Sequence, residues 1–303
     1  MKIRIGVGFN GWPFERLGDF WDFVDLTEES GLDSIWLNDR IRTPTPALEP
    51  ITALAMIAGR TKRIKFGMSV AVVPVRDPII LAKEIATIDF LSHGRMLPAF
   101  GLGVENEAEW LAVGKTSKHR GAMTDEAVQV MRRLWSEDAV THSGQFYHTH
   151  ELSINPKPKQ QPIPIWFGGR SPAAYKRIAR LGDGFLGSFQ PPAEAAQAVW
   201  AIRQAAEHYQ RVVPEDHYGT IVPFHFGDDD ISAEIATLAK RLNLRTSFED
   251  YAAWRTPEAI LRCLDAFVEA GITKFVMRPM VTGPRVNEQF ARLADLVVPR
   301  YHN

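Results

Sequence analysis

A run of two glycines, an arginine and a serine, Gly168-Gly169-Arg170-Ser171, is the stretch of this chain best suited to bind an anion. Two glycines let backbone N–H groups approach a phosphate closely. The helix predicted to begin at Ser171 and Pro172 would direct its positive N-terminal end to the same place. Arg170 would add a bidentate contact. A tight turn between a strand and a helix also uses such residues, so the motif alone leaves both interpretations open.

Other candidate residues for chemistry follow predicted strands. Asp39 either orients a ligand or caps a loop, and Arg40 either contacts a ligand or pairs with Asp39. His225 ends an apolar strand, where it is either an acid–base group or a packed histidine. Gly101-Leu102-Gly103 lacks the GxGxxG spacing, so it does not predict a Rossmann dinucleotide site.

The motifs of common hydrolases are missing from the sequence. Gly187-Ser188-Phe189 lacks the flanking residues of a nucleophile elbow. His148 and His150 lie on a predicted surface hairpin without the further ligands that a metal site needs. We therefore predict no metal site and rate a metal-dependent hydrolase below the other interpretations. A site rich in glycine and poor in titratable groups favours a bound cofactor that carries the chemistry.

These residues are positioned by strand–helix units, most clearly in the stretch 63–103. It predicts a buried strand over 63–70, a helix that begins at Pro78 and ends before His93-Gly94, and a second strand over 96–100. So short a strand–helix–strand segment indicates parallel strands joined by a crossover. Ligands of such folds bind at the carboxyl ends of the strands.

The same pattern recurs along the chain. Segments 29–37 and 269–277 resemble each other, and each contains a helix end, a glycine and a buried strand. We count about eight strands and no sign of a reversal in strand order. This predicts an α/β fold, a (β/α)8 TIM barrel formed as a single domain by residues 1–303, with insertions after the fourth and seventh strands. An open doubly wound sheet is the alternative.

Composition narrows the class of protein and its partners. The 303 residues include 35 Lys and Arg and 36 Asp and Glu, for a formal net charge of −1, which argues against nucleic acid or an anionic membrane as the main partner. Hydrophobic residues make up 45%, enough for a large core. Cys263 is the single cysteine, so no disulfide framework is expected. The sequence shows no membrane span and no signal peptide, and we expect a cytoplasmic protein.

Several stretches form a specific combination, although each alone is common. They are IleLysPheGlyMetSerVal at 64–70, the ProxxArgAspPro loop at 74–78, the helix at 81–95, GlyLeuGlyValGluAsnGluAlaGlu at 101–109 and IleTrpPheGlyGlyArgSerProAla at 165–173. In this combination the chain resembles the bacterial luciferase-like family of flavin- and deazaflavin-dependent oxidoreductases, which includes monooxygenases. The resemblance covers nearly the whole chain and is nearest to the deazaflavin branch.

The resemblance implies a barrel that holds FMN or coenzyme F-420 across the carboxyl ends of its strands, with F-420 favoured. The ring would lie over a bulge at Ser69-Val70, often with a non-prolyl cis peptide. The phosphate would bind at Gly168–Ser171 with help from Arg120. Asp39, Gly103 and Asn106 match positions near the cofactor. The polar groups that would face the ring, and are the catalytic candidates, are Asp39, Arg40, Asn106 and His225.

Two activities are compatible with this resemblance. F-420 would exchange hydride with a small organic substrate, or reduced FMN from a partner reductase would support monooxygenation. Arg40 replaces the His that follows the Asp in the sugar-phosphate dehydrogenases of the family, so sugar-phosphate chemistry is not expected. Leu102 likewise replaces an Arg of the luciferases proper. A barrel that binds flavin without turnover is the alternative.

Two further expectations concern surfaces. The substrate pocket would be lined by Trp12, Phe14 and the insertion at 227–254. A homodimer would use apolar surface around 83–91.

Overall fold

The computed structural model of the chain describes residues 2–43, 45–104, 107–242, 247 and 250–301. Its strands are β1 (Arg4–Phe9), β2 (Ser34–Leu37), β3 (Lys65–Met68), β4 (Ala71–Val72), β5 (Met96–Leu97), β6 (Ala99–Gly101), β7 (Val140–Ser143), β8 (His148–Leu152), β9 (Trp166–Gly168), β10 (Gly184–Ser188), β11 (Tyr218–Phe226), β12 (Ala253–Arg255) and β13 (Lys274–Pro279). Its helices are α1 (Leu17–Glu29), α2 (Pro50–Arg60), α3 (Pro78–Leu91), α4 (Glu107–Ala112), α5 (Arg120–Ser136), α6 (Pro172–Leu181), α7 (Pro192–His208), α8 (Ser232–Leu242), α9 (Pro257–Glu269) and α10 (Arg285–Leu296).

Parallel strands form a closed barrel. The hydrogen-bonded order runs β4-β6-β9-β10-β11-β13-β1-β2-β3-β5. The ends of this order meet because β3 and β4 are successive parts of one barrel strand, and β5 and β6 are successive parts of the next. Phe66 pairs with Met96, and Ala71 pairs with Phe100. The predicted (β/α)8 barrel is therefore confirmed, and the open doubly wound sheet is excluded.

The third and fourth barrel strands are each interrupted. The apolar pattern predicted a strand over 63–70 and the family resemblance a bulge at Ser69-Val70; β3 ends at Met68 and the Ser69–Val70 peptide is cis. The fourth is divided at Pro98, whose carbonyl accepts a hydrogen bond from the backbone of Trp166. Proline has no N–H to donate to a neighbouring strand, which explains a break at that position.

Four helices begin with a proline that follows a capping side chain. Glu49, Asp77, Ser171 and Thr256 each accept a hydrogen bond from a backbone N–H in the first turn of the helix that follows. Proline suits the first helical position because its φ is already helical and its missing N–H would have no partner there. These caps fix where α2, α3, α6 and α9 leave the mouth of the barrel.

The two predicted insertions are present. The segment between β6 and β9 carries α4, α5 and the antiparallel hairpin β7–β8. The segment after β11 carries α8 and β12, which pairs in parallel with the end of β11, so that His225 lies opposite Trp254. The strand β12 was not predicted. Within the described ranges, no helix is long and apolar enough to cross a lipid bilayer.

Two tryptophans fill the barrel interior. The rings of Trp36 and Trp166 lie 6.4 Å apart between centroids. Glycines on neighbouring strands make room for them, since a Cβ at Gly184 would lie 2.5 Å from the Trp166 ring. A Cβ at Gly67 would lie 3.0 Å from Trp36 and 2.1 Å from the Leu97 carbonyl oxygen. The interior below the mouth is thus a packed core, as in other barrels of this type.

Gly67→Ala is expected to lower the free energy of unfolding by about 3 kcal/mol, because the new methyl group would collide with the backbone of the neighbouring strand. Gly59→Ala is the matched control, since no atom lies within 4 Å of the added Cβ on α2 and alanine favours a helix by about 0.5–1 kcal/mol. Urea denaturation of both variants measures the difference. Equal stability of the two would contradict this account of the barrel interior.

Candidate functional site

A cavity of about 580 Å³, here called cavity A, opens at the carboxyl ends of the strands. It extends from Asp39 after β2, past the break between β3 and β4, to Gly169 after β9. Nine of the residues predicted for the site line it: Asp39, Arg40, Ser69, Val70, Gly103, Arg120, Gly168, Gly169 and Ser171. Arg170 and His225 do not line it, and Asn106 lies outside the described residues.

The bulge expected at Ser69-Val70 is present and borders cavity A. Its peptide bond is the non-prolyl cis bond that the family resemblance implied. The Val70 side chain projects toward two glycines: a Cβ at Gly101 would lie 2.4 Å from Val70 Cγ2, and a Cβ at Gly168 would lie 3.1 Å from Val70 Cγ1. Gly101 and Gly168 are therefore needed partly to leave space for this side chain, which provides an apolar surface in the cavity.

Asp39 is held by protein groups rather than directed freely into the cavity. Arg76 donates from NH2 to Oδ1 at 2.8 Å and from Nε to Oδ2 at 3.0 Å, and the Val72 N–H donates to Oδ2 at 2.9 Å. Burial by itself would lower the pKa of Arg76, but Asp39 and Glu49 outweigh it, and the pKa is raised. Asp39 thus fixes β4 directly after the cis peptide, which is a positioning role.

Arg40 pairs with Glu109 of α4 and not with Asp39. Arg40 NH1 lies 3.6 Å from Glu109 Oε2, and the Arg42 N–H donates to Glu109 Oε1 at 3.0 Å. The interpretation of an Asp39–Arg40 pair is therefore wrong. The buried carboxylate of Glu109 instead connects the loop after β2 to α4 at the mouth of cavity A.

The proposed anion end of cavity A is formed at the start of α6. Gly169, with φ of 137°, approaches the helix so closely that a Cβ would lie 2.6 Å from Ala174 Cβ. Ser171 caps the helix by accepting the Ala174 N–H at 3.2 Å. Arg170 points elsewhere, since its NH2 lies 3.2 Å from Glu194 Oε2.

Two arginines take the position predicted for Arg170. Arg120 at the start of α5 and Arg177 on α6 both line cavity A. The Nε of Arg177 also donates to Asp125 of α5. Arg177 was missed because it lies within the helix. The sequence did contain a signal for Arg177: it lies three residues after Ala174, so both side chains lie on the same face of α6.

Arg278 of β13 is a second residue without a predicted role. It is only 6% exposed and lines cavity A. Its NH2 donates to Ser69 Oγ at 2.6 Å and to the Ser69 carbonyl at 3.3 Å, and its NH1 donates to Asn10 Oδ1 at 2.7 Å. A guanidinium that follows the apolar run Phe275–Met277 is the signal that could have singled it out, because buried arginine is rare without a specific reason.

A second cavity of about 390 Å³, cavity B, adjoins the first. The two share Asn10, Phe189 and Arg278. Leu238 of α8 lines cavity B, which agrees with the predicted use of the insertion after the seventh strand. Trp12 and Phe14 were predicted to line the substrate pocket but do not line cavity B.

Phe14 is buried in an aromatic cluster instead. Its ring centroid lies 5.2 Å from that of Phe9 in an edge-to-face arrangement. Trp12 packs against the same cluster, with its ring centroid 5.4 Å from that of Phe14.

His225 is fully buried (0% exposed) and lines neither cavity. Its Nε2 lies 3.4 Å from Asp229 Oδ2, which also accepts a hydrogen bond from Arg285 at 2.6 Å. Burial lowers the pKa of His225, and the Asp229 carboxylate only partly opposes this. The structure therefore gives no support to His225 as a group that faces a cofactor. Within the described ranges, no group of three or more His, Cys, Asp or Glu side chains is placed to hold a metal ion.

Asp39→Asn is expected to lower the free energy of unfolding by about 3 kcal/mol, because it removes the buried carboxylate that is the main counter-charge of the partly buried Arg76. Asp25→Asn is the control: Asp25 makes a similar two-point contact with Arg60, but both side chains are exposed, so little change is expected. Chemical denaturation compares the two. A larger loss for Asp25→Asn would refute a supporting role for Asp39.

The lowered pKa of His225 predicts a specific loss of stability in acid. As the pH falls below about 6.5, the unfolded chain binds a proton at this position before the folded chain does. The stabilising contribution of neutral His225 is therefore present above that pH and is lost as the pH falls through the folded-state pKa. The slope is at most about 1.4 kcal/mol per pH unit for one proton. His225→Gln should show a shallower decline in urea denaturation between pH 7 and pH 5, and an unchanged slope would contradict the assignment.

Comparison with known proteins agrees with this architecture. A family model described as luciferase-like monooxygenase matches residues 4–274. A coenzyme F-420-dependent glucose-6-phosphate dehydrogenase of Kineococcus radiotolerans is 26% identical, with 92% of each chain covered.

Solved structures agree in fold. An F-420-dependent secondary alcohol dehydrogenase, in complex with an F-420–acetone adduct, superposes with a TM-score of 0.85 at 20% identity over 100% of both chains. The oxygenating constituent of 3,6-diketocamphane monooxygenase from Pseudomonas putida, in complex with FMN, superposes with a TM-score of 0.80 at 15% identity over 99% of both chains. The family resemblance is confirmed, and the chain belongs to the family of luciferase-like monooxygenases.

Proposed function

We propose that this protein binds FMN or coenzyme F-420 in cavity A and uses it to oxidise, reduce or monooxygenate a small organic substrate. Membership of the luciferase-like family makes the chain an oxidoreductase. The observation that carries the cofactor proposal is the arrangement of cavity A, which is lined both by an apolar bulge at Val70 and by a cationic helix start at α6.

The residues of cavity A suit such a cofactor. A volume of about 580 Å³ lies within the range of small-molecule sites. Val70 would support the flat ring, and the glycines around it keep that surface open. The start of α6 with Arg120 and Arg177 would bind the phosphate, since helix N-termini and guanidinium groups both favour anions.

The remaining groups would position these contacts. Asp39 holds the backbone after the bulge, and Arg278 holds the bulge itself through Ser69. Arg40 lies in the wall near the mouth, and Asn106 stays a proposed ring-side residue. When bound, F-420 supplies hydride transfer and reduced FMN supplies reaction with oxygen. We favour F-420 because the relative from Kineococcus radiotolerans is named for that coenzyme, but its sugar-phosphate substrate does not transfer, since Arg40 departs from the pattern of that group.

Assembly and location are proposals of the same kind. An exposed apolar surface on α3, which includes Ile80, Phe90 and Leu91, supports a homodimer. Sedimentation as a monomer at micromolar concentration would refute it.

An FMN-dependent reaction would also need a reductase as partner. The cytoplasmic location and the organisation of residues 1–303 as a single domain stay predictions.

A cofactor titration tests the proposal directly. Quenching of FMN and F-420 fluorescence gives the dissociation constant of each, and riboflavin serves as the analogue of FMN without phosphate. Arg120→Met should weaken binding of FMN or F-420 by about 10- to 100-fold, the effect of one lost charge-assisted hydrogen bond, and should leave riboflavin binding nearly unchanged. Arg170→Met is the matched control and should bind like the parent, because Arg170 does not line cavity A.

Failure of the parent to bind either cofactor would overturn the proposal. A larger effect of Arg170→Met than of Arg120→Met would overturn the assignment of the phosphate end. Cofactor that binds but is neither reduced nor reoxidised by any donor would favour the non-catalytic flavin-binding barrel.

A further inference from the structure

Cavity B is divided into an apolar floor and a polar rim. The floor is formed by side chains that are buried or nearly so, among them Phe9, Phe189, Leu238 and Val281. The rim contains Glu234 and Thr237 of α8, which are exposed. A volume of about 390 Å³ is sufficient for a small organic molecule. Such a pocket stabilises a ligand mainly by removing apolar surface from water.

The wall common to both cavities carries two polar side chains. Asn10 and Arg278 line cavity A and cavity B, and Arg278 NH1 donates to Asn10 Oδ1 at 2.7 Å. Phe189 is the third shared residue. A molecule in cavity B would therefore meet its strongest hydrogen-bond donor at the side that faces cavity A. This fixes the orientation in which a polar atom of that molecule would bind.

The charges around cavity B disfavour a strongly anionic ligand. Among the residues that the structure describes, Arg278 is the only lysine or arginine that lines this cavity, whereas Glu234 places a carboxylate at its opening. A phosphate dianion would lose most of its hydration against the apolar floor with one guanidinium to compensate, and it would have to pass Glu234. Transfer of a charged group into an apolar site without adequate pairing is costly.

We propose that cavity B binds the apolar body of an uncharged carbonyl compound, or of the corresponding secondary alcohol, with its single oxygen held at Arg278 and Asn10. The inference rests on the proposed function, since it places the substrate beside the cofactor site, and it names the class of that substrate. A neutral carbonyl oxygen accepts hydrogen bonds from the shared wall, and the hydrocarbon part lies on the floor. The same arrangement disfavours a sugar phosphate.

The test uses two probes of equal shape. 4-Phenylbutan-2-one is an uncharged ketone, and 3-phenylpropanoate is its carboxylate isostere. Each is titrated by calorimetry into the protein saturated with whichever cofactor it binds, and glucose 6-phosphate is titrated in parallel. We expect the ketone to bind at least about 10-fold more tightly than either anion. Tighter binding of 3-phenylpropanoate, or binding of glucose 6-phosphate alone, would overturn the proposal.

Variants of α8 locate the binding. Leu238→Trp places an indole in cavity B and should weaken ketone binding by at least about 10-fold while leaving the cofactor dissociation constant unchanged, because Leu238 does not line cavity A. Ala236→Trp adds the same side chain at an exposed position on the same helix and should bind ketone like the parent. Equal ketone affinity of Leu238→Trp and the parent would show that the ketone binds elsewhere.

The role of the shared wall has a separate readout. Arg278→Gln should weaken ketone binding but not that of propylbenzene, which lacks the oxygen. Equal weakening of both ligands would refute the hydrogen bond between the ketone oxygen and Arg278. Because cofactor affinity is measured independently, failure of the cofactor to bind refutes the proposed function. A cofactor that binds normally while the ketone results fail refutes only the present inference.

Discussion

The break in the third barrel strand is the constraint on which the functional end of this molecule depends. A strand that stops at Met68 and resumes at Ala71 leaves backbone groups that regular strand pairing does not satisfy, and buried backbone groups need partners. The Ser69 N–H donates to the Leu37 carbonyl at 2.7 Å. The Val72 N–H is taken by the Asp39 carboxylate, and the Ser69 carbonyl by the Arg278 guanidinium. Two charged side chains therefore replace the hydrogen bonds that the interruption removes.

This replacement explains why the charged side chains at the mouth of the barrel hold the backbone in place and are not free acid–base groups. Asp39 is bound on both oxygens, and its partner Arg76 is bound in turn by Glu49 at 2.8 Å. Arg278 connects the bulge to β13 and to the loop after β1. Val70 is thereby presented between Gly101 and Gly168 on the two strands that follow in the barrel. A flat apolar ring needs such a rigid apolar surface. Few acid–base side chains are needed in the site when a cofactor supplies the chemistry.

Sequence reasoning recovered the features that depend on neighbours in the chain. The strand predicted over 96–100 corresponds to β5 and β6, because a short apolar run between glycine-containing turns defines such a strand. The start of α3 at Pro78 follows from the Asp77 cap and the proline. The family resemblance supplied the bulge at Ser69-Val70, which composition and periodicity do not reveal.

Pairings between distant segments could not be predicted in the same way. Asp39 pairs with a residue 37 positions later, whereas the sequence suggested its neighbour Arg40 as one possible partner. Arg170 was assigned to the anion end because it is adjacent to the glycines, but residues of a helix start point to different sides, and Arg177 and Arg120 reach the cavity. His225 lines neither cavity, and the unpredicted strand β12 pairs alongside the end of its strand. Each error arose where tertiary packing decides which way a side chain faces.

The distribution of arginines separates the two cavities chemically. Cavity A has guanidinium groups near both ends, at Arg40 and Arg42 after β2 and at Arg120 and Arg177 beside α6, and so suits an elongated ligand with anionic parts. Cavity B has Arg278 only at the wall that it shares with cavity A, with apolar side chains beyond. The same guanidinium that closes the gap in the third strand is thus the cationic hydrogen-bond donor on the wall of cavity B. The interruption of that strand therefore shapes one cavity through Val70 and determines the chemistry of the other through Arg278.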